Sequence, residues 1–89
     1  IYNDEMINLK LEIFYPMSEI IKEKQICKNQ KITRLDEYTI LFEASMRGYT
    51  EIKIWIISMG SKVKVIEPEK LKKELLEEAT QIINLYSID

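Results

Sequence analysis

Histidine is absent from this chain, and cysteine occurs once, as Cys27. A lone thiol excludes an intramolecular disulfide and leaves no partner thiolate for a metal site. The lack of imidazole removes the usual general base and the commonest metal ligand. Enzyme classes built on those groups are therefore excluded from this segment, and no cofactor is expected. Glycine and proline are scarce, two of each, and no low-complexity linker or internal repeat divides the chain. Apolar runs never exceed four residues, far short of the roughly 20 that span a bilayer, and no signal-peptide pattern opens the sequence. These absences predict a cytoplasmic domain in a reducing setting, with no membrane partner.

What is present is a chain of 89 residues, 46% hydrophobic and 31% charged. A chain of that size buries roughly 60 to 65% of its unfolded surface, enough for one modest core. We read residues 1–89 as a single domain. Because it opens on Ile1 rather than methionine, we read it as a fragment of a longer protein.

Net charge is −2, but the signs are blocked. Residues 1–20 carry −3, residues 21–34 carry +4, and the rest carry −3. The middle block, with Lys22, Lys24, Lys28, Lys31 and Arg34, is the one candidate electrostatic surface for a nucleic acid or a nucleotide effector. No aromatic residues interleave it, although single-strand binders use them for stacking. The same cations also suit a solvated edge strand.

Ile7, Leu9, Leu11 and Ile13 alternate with polar residues, which predicts a strand over residues 5–15 with one buried face. Pro16 then opens a short helix over 17–24, with Met17, Ile20 and Ile21 facing inward. A polar edge strand over 25–35 follows, turning at Asp36-Glu37 into a central strand over 38–46 whose buried face is Tyr38, Ile40, Phe42, Ala44 and Met46. Thr50 is positioned to cap a second helix, on which Ile52, Trp55, Ile56 and Met59 recur at helical spacing before Gly60 stops it. Trp55 reads as a core anchor, with a stacking platform as the alternative. Val63, Val65 and Ile66 make a brief fourth strand. Pro68 starts a last helix striped by Leu71, Leu75, Leu76, Ala79, Ile82, Ile83 and Tyr86. The element order predicts an α+β fold, a ferredoxin-like β-α-β-β-α-β antiparallel sheet with an extra C-terminal helix. Part of the last helix's stripe, in particular Leu76, Ile83 and Tyr86, is a candidate interface.

The string Trp55-Ile56-Ile57-Ser58-Met59-Gly60, the following Val63-Lys64-Val65-Ile66-Glu67-Pro68, and the spaced Leu71, Leu75 and Tyr86 resemble the C-terminal extension, called WCX, of bacterial WYL-domain helix-turn-helix transcriptional regulators. The motif covers the last forty residues; the first fifty agree in element order. One departure is the hairpin turn, Asp36-Glu37 where the family often has Asp-Gly. The resemblance implies a non-catalytic regulatory and dimerisation domain. It would sit behind an N-terminal DNA-binding helix-turn-helix and a central WYL domain that takes an effector nucleotide or oligonucleotide, and would help couple effector binding to DNA binding, usually as a homodimer. The runner-up is an ACT-like module that binds small molecules. Its usual glycine-rich loop after the first strand is absent from Tyr15-Pro16-Met17-Ser18, as is the arginine-bearing phosphate loop of an acylphosphatase-type enzyme.

Overall fold

A computed structural model describes residues 5–87. The elements run β1 (Ile7–Phe14), α1 (Met17–Lys22), β2 (Lys31–Arg34), β3 (Thr39–Met46), α2 (Tyr49–Ser58), a 3-10 turn (Gly60–Lys62), β4 (Val63–Glu67) and α3 (Glu69–Ser87). The four strands form one sheet in the order β2-β3-β1-β4, and each neighbouring pair is antiparallel.

The period-2 pattern explains the two central strands. Leu9, Leu11 and Ile13 of β1 stand opposite Ala44, Phe42 and Ile40 of β3, and Leu11 also meets Val65 of β4. All seven are buried, so one face of the sheet is apolar across its central strands and β4. Ile21 of α1, Ile52, Ile56 and Met59 of α2 and Leu71 of α3 complete the core. The other face is open and polar. On it Lys31, Glu43, Lys10 and Glu67 follow one another across the four strands, and alternation of sign between neighbours favours this register over a slipped one.

Several expectations need correction. The strand expected over 25–35 is only four residues long, Lys31–Arg34. Residues 25–30 instead form a loop held by two side-chain amides. Gln30 accepts hydrogen bonds from the Ile26 and Cys27 amides through Oε1, at 2.6 and 3.1 Å, and donates from Nε2 to the Lys24 carbonyl at 2.9 Å. Asn29 accepts from the Ser45 N–H at 2.9 Å and donates to the Ser45 carbonyl at 3.1 Å. Its amide thus takes the place of one more residue of β2 along the edge of β3.

In α1, which ends at Lys22 rather than Lys24, Ser18 faces inward in place of Ile20. Ser18 is fully buried because its hydroxyl donates to the Tyr38 carbonyl at 3.1 Å, while Ile20 is exposed. Tyr38 lies outside β3 and is 60% exposed, standing edge-on to Tyr15 at 6.0 Å. Its backbone belongs to the turn, where its N–H donates to the Asp36 carboxylate at 2.8 Å.

The cap of α2 is Gly48, not Thr50. Gly48 has a φ of 89°, a left-handed conformation that side chains resist, and its carbonyl accepts from the Ile52 N–H at 2.9 Å. Gly60 also has a positive φ, 60°, directly after Met59, the last cap of that helix, as a glycine stop requires. Pro68 precedes α3 rather than beginning it, its carbonyl accepting from the Lys72 N–H at 3.2 Å. Trp55 is half-buried and packs edge-to-face on the fully buried Phe42, with ring centroids 5.9 Å apart. It is a core anchor at the rim.

Candidate functional site

The five cations of residues 21–34 do not converge on one surface. Alternation along β2 places Arg34 on the helix-covered side, opposite Ile40, and Lys31 on the open side, opposite Glu43. Glu19 of α1 gathers two of the five: Lys22 approaches it at 2.9 Å and Arg34 at 3.4 Å. The hydrogen bond from Lys22, with that from Arg34 behind it, holds the Glu19 carboxyl below the ordinary carboxylate value. Arg34 further donates to the Asp36 and Glu37 carbonyls, so its guanidinium braces the hairpin turn. Lys28 is exposed in the amide-braced loop, and Lys24 is exposed just before it.

The last helix presents a different kind of surface. Leu71 is 0% exposed, the one buried residue of α3, and Leu75 packs at the edge of the core. Beyond them the helix leaves the domain. Leu76 is 69% exposed, Ile83 62% and Tyr86 84%, with Ile82 and Leu85 also open. Five large apolar side chains within eleven positions of one helix form a patch of the kind that soluble monomers seldom leave uncovered.

Beside this helix runs an open groove of about 560 Å³. Its floor is Ile56 and Ile57 of α2 with Val63 and Val65 of β4, its far wall is Gly60-Ser61, and its near wall is α3 from Glu69 to Ile82. The sequence marks Leu76 as an interface candidate, and Leu76 does line the groove; Ile83 and Tyr86 continue the stripe past its end. The floor was not legible, because Ile56, Val63 and Val65 read equally well as plain core. The periodicity of α3 could have pointed to it, since the stripe is wider than one contact with the sheet requires.

A polar cluster fixes the base of α3. Glu74 accepts hydrogen bonds from the Tyr49 hydroxyl at 2.9 Å and from Lys53 Nζ at 3.1 Å, and Lys70 lies 4.8 Å from the centre of the Tyr49 ring. Burial, and then the bond to Glu74, push the Tyr49 hydroxyl up to about 12. The hydrogen bonds from Tyr49 and then Lys53 hold the Glu74 carboxyl below its usual value. The cluster ties α3 to α2. Among the described residues no group of three or more carboxylate or thiol side chains could hold a metal ion, and no helix is long and apolar enough to cross a membrane.

No curated protein matches the chain. The family model of the WCX domain, in contrast, matches residues 5–83, from the start of the sheet to beyond the groove-lining part of α3. With that match spanning nearly the whole of the fold described, the chain belongs to the WCX domain family, whose members are regulatory domains of WYL-type regulators.

Proposed function

We propose that this chain is a non-catalytic regulatory and dimerisation domain, working as the last domain of a WYL-type DNA-binding transcriptional regulator and helping to couple effector binding to DNA binding. The observation that carries the reading is membership of the WCX family; the exposed apolar stripe of α3 supports the dimerisation part. DNA would be met by a helix-turn-helix domain and the effector, a nucleotide or oligonucleotide, by a WYL domain. The ferredoxin-like description is supported by the element order and by the central antiparallel pair β1 and β3. Coupling of this kind requires an effector that binds two arrangements of the regulator unequally. Sedimentation equilibrium of the 89-residue chain tests the dimerisation part: a concentration-dependent shift from monomer to dimer is expected, and a strict monomer at high concentration would remove it.

The groove volume also falls in the range of small-molecule sites, roughly 300 to 1,000 Å³, which favours the ACT-like reading on size. Such sites also need convergent polar groups to orient a ligand. Here the lining is mainly aliphatic carbon, and its lysines are exposed to solvent, so the protein-docking reading is the stronger.

A further inference from the structure

The groove and the stripe of α3 are adjacent, apolar and unoccupied by any other part of the described chain, and the charges around them are unevenly placed. The first turns of α3 carry Lys70, Lys72 and Lys73 against Glu69. From Glu74 onward the helix carries Glu74, Glu77 and Glu78 and no cation at all up to Ser87. Two such helices laid parallel set like charge against like; laid antiparallel about an axis near Leu75, Lys72 of each meets Glu78 of the other, and both residues line the groove. The stripe has matching spacing. Leu75, Ala79, Ile82 and Tyr86 follow one another by four, three and four residues, the heptad alternation that lets one helix nest its side chains into a facing helix.

We propose that the occupant of the groove is a second copy of this chain, its α3 lying antiparallel in the channel between α3 and the Gly60-Ser61 wall. The exchange is reciprocal: each copy's stripe covers the other's groove floor around one two-fold axis, as an isologous dimer requires. Leu71 and the Tyr49–Glu74 cluster stay within their own copy and hold the base of each helix in place. This arrangement rests on the dimerisation reading above and adds which surface is used, in which direction, and by which charges.

The test uses the 89-residue chain and reads its dimer dissociation constant by sedimentation, with circular dichroism and a thermal melt at high dilution as controls for folding. Ile83→Asp is expected to give a monomer with wild-type helix content and dilute-limit melting, since Ile83 is exposed. Lys72→Glu should weaken the dimer by about tenfold, a change of about 1.4 kcal/mol. Glu78→Lys should do likewise, and the two together should restore wild-type affinity. A parallel pair would be indifferent to the first variant, because lysine facing lysine merely becomes glutamate facing glutamate. A dimer that survives Ile83→Asp would leave the dimerisation reading standing but overturn this arrangement and point to another surface, such as the free edge of β4. A wild-type chain that stays monomeric at every concentration would overturn both.

Discussion

Leu71 is the residue on which the position of α3 depends. It is the only side chain of that helix with no exposure, set into a core shared with Ile56 and Val65. Replacing it by alanine removes buried methyl groups and leaves a void, which costs about 2 to 5 kcal/mol in well-packed cores. Leu71→Ala is expected to lower the urea midpoint accordingly, while Tyr86→Ala, at the exposed end of the same helix, should leave the dilute chain's midpoint within error of wild type. Trp55→Ala should fall near the lower end for aromatics, about 3 kcal/mol, since the ring keeps one edge in solvent and its firmest contact is with Phe42. Tyr49 adds a dependence on pH. Its proton is held more tightly in the folded chain, at about 12, than at the ordinary tyrosine value of 10.0, so the contribution of the Tyr49–Glu74 bond is complete below that ordinary value. It is lost as pH rises through about 12. The stability gap between wild type and Tyr49→Phe should therefore narrow across that window in urea melts, and a constant gap would count against this role.

At the scale of elements, the amide-braced loop before β2 makes a specific claim. Asn29 bonds both backbone groups of Ser45, so Asn29→Ala should free that end of β3. The expected loss is about 1 to 2 kcal/mol for two modest hydrogen bonds, with faster hydrogen exchange at the Ser45 amide as its local sign. The same loop shows why parts of the fold were legible from the sequence and others were not. β1 and β3 follow from strict alternation, and α2 from Ile52, Ile56 and Met59 at helical spacing. Residues 25–30 carry no period, and their hydrogen bonds are made by Asn29 and Gln30 side chains reaching across the chain, which no local pattern encodes. Ser18 was hidden for a similar reason: a hydroxyl reads as exposed until its acceptor, the Tyr38 carbonyl twenty residues on, is known. Gly48 is less conspicuous in the sequence than Thr50 because a positive φ belongs to the backbone path, whereas a capping hydroxyl is visible in the letters. Of the candidate site, the stripe on α3 was readable from spacing alone. The groove was not, since it exists only once β4 and the end of α2 lie beside that helix.

The whole molecule is flat, 44 × 39 × 19 Å, a single sheet with helices on one side and an open face of alternating charge on the other. Such a body has little interior for its surface, and a small core is sensitive to what covers its edges. Association through α3 would make the melting temperature rise with chain concentration, as binding to the folded state alone requires. Ile83→Asp should abolish that rise without moving the dilute limit. The helix that carries this surface is fastened near one end only, at Leu71 and Glu74, and from Leu71 to its tip it is about 24 Å long at 1.5 Å per residue. It is mechanically a lever: a tilt of about 10° at the fastened end swings the tip by about 4 Å on that length. A shift too small to disturb packing at the pivot is thereby enlarged into a displacement nearly as wide as one side chain at the far end.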